Sequence, residues 1–397
     1  MSVSYAAVLR VPHARRTFTA ALVGRLSYGV VPLSLMLAVT RTTGSYTSAG
    51  SVMALFGGTA VFLSPARAAL VDRYGPRRAL PPMTAAYLAL LGLLVLALAR
   101  PSLLVLAPLA AAAGCCCPPL GPTMRAVWGR ITPDRALLQR AYSLDGVAEE
   151  LLFVTGPLLV GVLVGFAPPA AGILLGAVLM AVGIAGFASS PAVRETPSGK
   201  RTARRGGGGL TGLRRPVTAV AAVGLTLGVV DLLTVAFAED HGYGGSAAAW
   251  LLAGLSAGSA VGGLLNGAVA WRASTGARLS ASTACLGLAV CAAGTAPGLV
   301  TLALSVAAVG FFVSPTITTA YLMADETAAA EARVRAGAWV NTAVNAGSTA
   351  GTAAAGALAG RLPVGVCFAL TGAVALAAAA AVTRRPRRGT SELVPLA

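Results

Sequence analysis

Long apolar stretches alternate with short polar segments along the whole chain. Each stretch holds about 20 residues, the length of an α-helix that crosses the hydrocarbon core of a bilayer. We place these stretches near residues 17–39, 47–70, 80–99, 102–124, 142–165, 169–190, 216–238, 246–270, 279–296, 298–323, 336–358 and 362–382. The pattern predicts an all-α membrane protein with twelve transmembrane helices.

The second half of the chain repeats features of the first at an offset of about 195 residues. The matched pairs include Arg140 with Arg335, Ala148 with Ala343, Gly156 with Gly351, and Gly161 with Gly356. In this register Glu150 corresponds to Asn345. We therefore expect two pseudo-symmetric six-helix bundles, residues 1–195 and 216–397, joined by a basic linker at 196–215. In membrane proteins built from such repeats, substrate and ion sites lie between the halves.

Positive charge is distributed unevenly between the two sides of the predicted membrane. If both termini are cytoplasmic, that side holds 25 of the 30 lysines and arginines, and the outer loops hold only Arg41, Arg100 and Arg361. An excess of Lys and Arg marks cytoplasmic loops. We therefore expect a multi-pass protein of the cell (inner or plasma) membrane with both termini cytoplasmic. This topology accounts for the net charge of +17, so nucleic acid is not expected as a partner.

The composition agrees with a protein surrounded by the lipid bilayer. The chain is 56% apolar and only 11% charged, with a mean hydropathy of +0.78, whereas soluble proteins carry about 25% charged residues. The one long polar stretch, Pro191 to Arg215, contains seven basic residues and four consecutive glycines. We interpret it as a flexible linker rather than as a site for anionic lipid.

The loop after the second span resembles the signature loop of the major facilitator superfamily, Gly-x-x-x-Asp-Arg-x-Gly-Arg-Arg. Residues 68–78 keep its acid, its turn glycine and its basic pair, and Ala68 replaces the first glycine. The resemblance implies a conformational latch between the halves, in which Asp72 faces a helix N-terminus or an arginine of the other half. The latch residues are Asp72, Arg73, Gly75, Arg77 and Arg78. The corresponding loop of the second half, residues 271–278, lacks the acid.

A second resemblance lies in the fifth span, where Gly156, Pro157 and Gly161 are similar to the Gly-Pro-x-x-Gly-Gly motif of drug/proton antiporters in the superfamily. Leu152 and Val160 stand where that motif has further glycines. The resemblance implies export of a small, amphipathic molecule by proton antiport with alternating access. Proton-coupled uptake or facilitated diffusion of a polar solute stays open. In another class, a non-transporting receptor or assembly factor on the same fold stays open too.

Ionisable side chains at membrane depth are costly and are therefore candidate functional residues. Arg25 lies in the first span, and Glu149 and Glu150 lie in the fifth. Two interpretations of Arg25 and Glu149 stay open. The two residues form an ion pair that only stabilises the first half, or they take part in binding substrate or protons. Two further charges have structural interpretations. Asp145, with Ser143 as an N-cap, is expected in a first helical turn, and Arg67 is expected to reach the membrane surface.

Three acids are candidates for proton coupling: Glu149, Glu150 and Asp231 in the seventh span. Glu150 and Asp231 have no assigned cationic partner. A buried carboxyl group without such a partner favours its neutral, protonated form. By the repeat we expect both to face the space between the halves.

The eleventh span carries Asn341, Asn345, Ser348 and Thr352 along one helical face, an arrangement unsuited to lipid. Cavity lining and hydrogen bonding between helices are both consistent with it. The candidates for the substrate cavity are Arg25, Tyr28, Asn341, Asn345, Ser348, Thr319 and Tyr321.

Two groups of small or rigid residues bear on helix shape and packing. Gly254, Gly258 and Gly262 permit close helix contact, either at the interface between the halves or within one half. Pro118 and Pro119 are expected to bend the fourth span.

No pattern for catalysis or cofactor binding stands out. His13 and His241 lie outside the spans without metal-ligand spacing, and no phosphate-binding loop is present. We expect a monomeric protein that is not an enzyme and has no cofactor or metal. Its expected partners are a small-molecule substrate, protons and the lipid bilayer.

Overall fold

The computed structural model describes residues 5–194, 212–240, 245–358 and 361–383. Within these ranges the chain forms α1 (Tyr5–Arg10), α2 (Ala14–Thr43), α3 (Tyr46–Phe62), α4 (Ser64–Tyr74), α5 (Pro76–Ala97), α6 (Leu103–Cys116), α7 (Leu120–Ile131), α8 (Arg135–Val164), α9 (Ala170–Ser189), α10 (Pro191–Arg194), α11 (Arg214–Asp240), α12 (Gly245–Ala268), α13 (Thr275–Ala293), α14 (Leu299–Thr327), α15 (Arg333–Leu358) and α16 (Val364–Thr383). A short 3₁₀ helix, Ala330–Ala332, precedes α15. The predicted all-helical architecture is confirmed. Most of the predicted linker, and His241, lie outside the described residues.

Ten of the predicted spans coincide with one helix each, and the second and fourth coincide with two consecutive helices each. In the described residues ten segments are long and apolar enough to cross a membrane, one of them made of α6 and α7, and the pair α3 and α4, bent by 42°, makes an eleventh. The predicted eleventh span coincides with α15, which is 26 residues long and carries the polar face described above. The fourth span is interrupted between Cys116 and Leu120, where Pro118 and Pro119 lie, as expected.

Capping side chains and one glycine set several helix ends. Asp134 caps α8, its carboxylate accepting a hydrogen bond from the Leu137 N–H at 2.8 Å. Gly75 has φ 80°, which allows the sharp turn from α4 to α5. Because α8 begins at Arg135, the expectation for Ser143 and Asp145 is wrong. Ser143 is not an N-cap, and Asp145 lies about three turns inside the helix.

The helix pairings of the first half recur in the second. The pairs α2–α8, α2–α9, α3–α6 and α5–α9 correspond to α11–α15, α11–α16, α12–α14 and α13–α16. The twelve spans therefore form two pseudo-symmetric six-helix bundles, as predicted. The domain boundaries at 195 and 216 stay predictions, since the chain between 195 and 211 is outside the described residues.

The glycine ladder of α12 packs within the second half. Added Cβ atoms at Gly258 and Gly262 would collide with the backbone of α14 at Ala307 and Phe311, whereas one at Gly254 would meet open space. The close approach of α12 and α14 therefore depends on Gly258 and Gly262. Of the two expectations for these glycines, packing within one half is the one observed.

The two halves are joined at one end of the bundle, which we call the basic end: the end that carries α1 and the turns at Gly75, Thr132 and Ser274. One buried apolar cluster fills the first half and continues into α14 and α15 of the second, including Val334, Ala338 and Val340. A second cluster lies within the second half. The shared cluster closes the space between the halves at the basic end.

Candidate functional site

Four charged side chains form a buried cluster in the first half. Arg25 of α2 lies 2.7 Å from the Asp145 carboxylate and 3.0 Å from that of Glu149. Arg125 of α7 lies 2.9 Å from Asp145 and is also ion-paired with Glu149. Arg25 and Asp145 are 1% and 0% exposed, and Glu149 is 26% exposed. Each cation therefore contacts both anions, and the cluster is electrically balanced.

The expected pair of Arg25 and Glu149 is present, but it is half of a larger arrangement that the sequence analysis missed. The sequence predicts Asp145 at a helix terminus and places Arg125 one residue beyond the fourth span. Both errors are errors of helix boundary. A fourth helix extended by one turn would have placed Arg125 at membrane depth opposite the acids of α8.

The second half contributes an aromatic ring to this cluster. The Arg125 guanidinium lies 3.9 Å from the centroid of the Tyr321 ring, an arrangement typical of a cation–π interaction. The Tyr321 ring also packs edge-on against Tyr142 of α8, with centroids 6.5 Å apart. The charge cluster is thus coupled to α14 across the boundary between the halves.

Two candidate cavity residues make structural contacts in the described chain. The Tyr28 hydroxyl donates to the Pro118 carbonyl at 2.5 Å and accepts from the Leu120 N–H at 3.0 Å, so it bridges the break between α6 and α7. The Thr319 hydroxyl is buried and donates to the Pro315 carbonyl of its own helix at 2.7 Å.

Arg67 does not reach the membrane surface, and that expectation is wrong. Its side chain is buried and donates to the carbonyls of Thr59 and Ala60 near the α3–α4 break, and of Gly114 at 2.9 Å and Cys115 near the α6–α7 break. Broken helices leave carbonyls without an intrahelical partner. One guanidinium with five donors satisfies several of them at once, which explains why a charge is buried here.

Glu150 extends from α8 to the second half. Its Oε1 accepts a hydrogen bond from the buried Ser259 hydroxyl of α12. Its Oε2 is buried without a hydrogen-bond partner, and no ion pair to Glu150 is present among the described residues. This carboxyl group therefore lies between the halves without a neutralising cation.

Asp231 of α11 is exposed, and it has no ion pair within the described residues. Its proposed role in proton coupling, and the inward orientation inferred from the repeat, stay predictions.

The polar stripe of α15 lies partly against α11. The Thr352 hydroxyl donates to the Gly228 carbonyl at 3.3 Å. For Thr352, hydrogen bonding between helices is therefore the interpretation that is observed. Asn345 donates through its side-chain amide to the Asn341 carbonyl at 2.8 Å, within the same helix. Asn341, Asn345 and Ser348 are half-buried, so their side chains keep partial access to solvent or substrate.

The loop residue Asp72 contacts the other half. Its carboxylate accepts from the Val334 N–H at 3.1 Å and from the Arg335 N–H at 2.9 Å, at the N-terminus of α15. An acid at this position also interacts favourably with the helix dipole. The basic neighbours Arg73, Arg77 and Arg78 are exposed. The geometry fits a latch whose contact is Asp72 and whose turn is Gly75.

The second half has a counterpart of this contact, which is not evident from the sequence, and its acceptors are uncharged amides. Arg278 donates to the Gln139 amide oxygen of α8 at 2.8 Å and to the Asn266 amide oxygen at 3.2 Å. The Gln139 amide in turn donates to the Asn266 carbonyl. Nearby, Arg135 pairs with Glu326 across the same boundary. The amides of Gln139 and Asn266 take the place of the missing acid. A motif defined by an acidic loop residue does not include amides on other segments.

The Gly-Pro motif of α8 lies against α2. Gly156 and Gly29 face each other so closely that a Cβ on either would contact the other backbone. Pro157 also lies beside Gly29, while Gly161 faces open space. The motif therefore permits a close crossing of α2 and α8, one turn or more beyond the charge cluster.

Comparison with known proteins identifies the class to which this architecture belongs. A sequence profile of the Major Facilitator Superfamily matches residues 17–237 and 217–396. The chain is therefore a multi-pass membrane protein with the fold of a secondary transporter. It belongs to the Major Facilitator Superfamily, as the loop signature indicated. No match was found among curated protein sequences.

Solved structures agree with this assignment. The chain is similar to the human organic anion transporter MFSD10 (TETRAN), with a TM-score of 0.71, 14% identity, and coverage of 94% of this chain and 99% of that one. It is similar to a bacterial homologue of the iron transporter ferroportin in an outward-facing state, with a TM-score of 0.72, 13% identity and coverage of 93% and 96%. The Escherichia coli fucose:proton symporter FucP gives a TM-score of 0.65, 15% identity and coverage of 93% and 100%. At these identities the likeness concerns the fold.

Proposed function

We propose that this protein exports a small, amphipathic molecule in exchange for protons, by alternating access between its two halves. The observation that carries proton coupling is the position of Glu150. Its carboxyl group joins the halves through Ser259 and has no cationic partner in the described chain. A movement that separates α8 from α12 would break this hydrogen bond and change the access of water to the carboxyl group. Such a group can bind a proton in one state and release it in the other.

The contacts at the basic end support the proposal that the protein works by alternating access. If the basic end is cytoplasmic, Asp72, Gln139 and Arg135 hold the cytoplasmic side closed. Asp231 is exposed in this state. Such an arrangement is expected of an outward-facing state, in which protons enter from outside. Opening the basic end would then expose Glu150 to the cytoplasm.

The charge cluster supports a neutral or amphipathic substrate. Two arginines and two acids neutralise each other within it, so it offers no net charge to a strongly anionic solute. The half-buried amides of Asn341 and Asn345 supply polar contacts without charge. Export, rather than uptake, is supported by the similarity of the α8 motif to that of drug/proton antiporters.

Reconstituted vesicles with an imposed pH difference test this proposal. Substrates are first identified from a compound panel by thermal stabilisation of the purified protein, since a ligand stabilises the state that it binds. Glu150→Gln is expected to retain binding but to lose accumulation driven by the pH difference, while the exposed Glu331→Gln serves as a matched control. Accumulation by Glu150→Gln equal to that of the unmodified chain would refute the role of Glu150. The sign of proton movement on substrate addition separates antiport from proton-coupled uptake.

A further inference from the structure

An apolar groove of about 830 Å³ runs along the side of the second half. Its walls are formed by α11, α15 and α16, and Phe62 at the end of α3 closes it from the first half. Half of the lining residues are alanines, and most of the others are apolar. The volume is within the range of about 300–1,000 Å³ typical of ligand sites.

The groove is open on the side of α16, where Val374, Ala377 and Ala381 are exposed. One wall is α16, which packs on α11 and α13 of its own half. Two threonines interrupt the apolar lining, and each hydroxyl has a backbone partner. Thr218 donates to the Arg214 carbonyl at 2.7 Å, and Thr342 donates to the Val61 carbonyl at 3.0 Å. The groove therefore suits hydrocarbon rather than a polar solute.

The length and direction of the groove match one leaflet of a bilayer. On α15 it extends from Trp339 to Ala350, about 16 Å at the helical rise of 1.5 Å per residue. Half of a hydrocarbon core of about 30 Å is about 15 Å. Because α11 and α15 both begin at the basic end, the groove runs from that surface towards the middle of the membrane.

Two exposed cations lie at the surface end of this groove. Arg214 is one turn before the lining residue Thr218 on α11, and Arg335 is one turn before Trp339 on α15. Arg335 donates its backbone N–H to Asp72. Its guanidinium is exposed and also interacts electrostatically with the Asp72 carboxylate, so it lies at the surface end of the groove beside the contact between the halves. A tryptophan at the membrane–water boundary, next to arginines, is typical of a residue that contacts lipid headgroups.

We propose that this groove binds an acyl chain of an anionic phospholipid from the leaflet at the basic end, with the headgroup held by Arg214 and Arg335. The hydrocarbon chain follows the wall of α15 to the middle of the membrane. Phe62 and the Thr342–Val61 hydrogen bond belong to the contact between the halves. A bound chain therefore contacts both halves only while they are joined at the basic end.

Quenching of Trp339 fluorescence by brominated lipid tests this assignment. The protein is placed in vesicles that mix phosphatidylglycerol and phosphatidylcholine, with bromine on the acyl chains of one lipid at a time. Subtracting the signal of Trp339→Phe isolates Trp339 from the other tryptophans. Brominated phosphatidylglycerol is expected to quench Trp339 at a lower mole fraction than brominated phosphatidylcholine. Each arginine is expected to contribute about fivefold to this preference, since a basic residue near an anionic membrane surface contributes about 1 kcal/mol.

Two variants separate the groove from bulk lipid. Ala346→Phe fills the groove and should abolish the preference, whereas Ala89→Phe, at an exposed position on α5, should leave it unchanged. Arg214→Gln with Arg335→Gln should leave quenching in place but make the two lipids equivalent. Equal quenching by both lipids in the unmodified chain, or a preference that survives these changes, would overturn the proposal. Protection of Trp339 from both lipids would overturn it as well, because another protein segment would then cover the groove.

Discussion

Arg25 and Asp145 lie 2.7 Å apart, on α2 and α8, and both are almost completely excluded from solvent. Neither has a lone partner, because Arg125 contacts Asp145 and Glu149 contacts Arg25. The stability of this arrangement depends on keeping two cations with two anions. A change in one member therefore affects the other three.

Asp145→Asn should strongly destabilise the protein, because it leaves two buried guanidinium groups against one carboxylate. Loss of one partner from a buried ion pair costs about 3–5 kcal/mol. The double variant Arg25→Gln with Asp145→Asn restores the balance and should lose much less than the sum of the single changes. Thermal unfolding of the purified protein measures this, with the exposed Arg15→Gln as a control. Additive losses would show that the two residues do not act as partners.

Asp72→Asn should weaken the contact between α4 and the N-terminus of α15 without unfolding either half. The amide keeps one oxygen acceptor but loses the charge, and an anion at a helix N-terminus contributes about 0.3–2 kcal/mol. The population with an open basic end should rise several-fold. Alkylation of Ala336→Cys, a buried position in that contact, reports the change in a chain without its native cysteines. Arg15→Gln removes an exposed charge on α2, away from this contact, and should leave alkylation unchanged.

Apolar length and the repeat were sufficient to predict the fold. The twelve spans, the two bundles and the family follow from stretches of about 20 residues and from the signature loop. The site was less predictable. The predicted start of the fifth span is seven residues later than the start of α8, so Asp145 was predicted at a terminus instead of inside the helix. The predicted end of the fourth span is one residue too early to include Arg125. The prediction for Arg67 was wrong for another reason. Its partners are backbone carbonyls at helix breaks, and backbone groups cannot be recognised from the side chains in a sequence.

Arg67→Met should destabilise the first half by several kcal/mol. The methionine keeps most of the side-chain volume but removes every donor, and a buried unsatisfied polar group costs about 1–3 kcal/mol. Arg67→Lys should recover only part of the loss, since one ammonium cannot span both breaks as a planar guanidinium does. Thermal unfolding compares the two with Arg73→Gln, an exposed neighbour on α4. Full stability of Arg67→Met would mean that water satisfies those carbonyls.

Gly262→Ala should lower stability by about 1–3 kcal/mol, because the new methyl group overlaps the Phe311 carbonyl and forces α12 and α14 apart. Gly254→Ala, two turns earlier on the same helix, meets open space. It should be neutral or stabilising by up to about 1 kcal/mol, since alanine favours the helix. The contrast is measured by thermal unfolding of the two variants in parallel. Equal effects would argue against close packing at Gly262.

The two helix breaks that Arg67 bridges also make the first half different from the second: the first half has places where its helices can bend. In the first half, α3 meets α4 and α6 meets α7 at the same level, so a displacement of the outer segments can be absorbed there as bending. The corresponding helices of the second half, α12 and α14, continue without interruption through Gly245–Ala268 and Leu299–Thr327. Pro315 removes one backbone hydrogen bond within α14 but does not end the helix, so neither helix has a break like those of the first half. When the basic end opens, the second half should therefore tilt as one body, while the first half flexes at its paired joints.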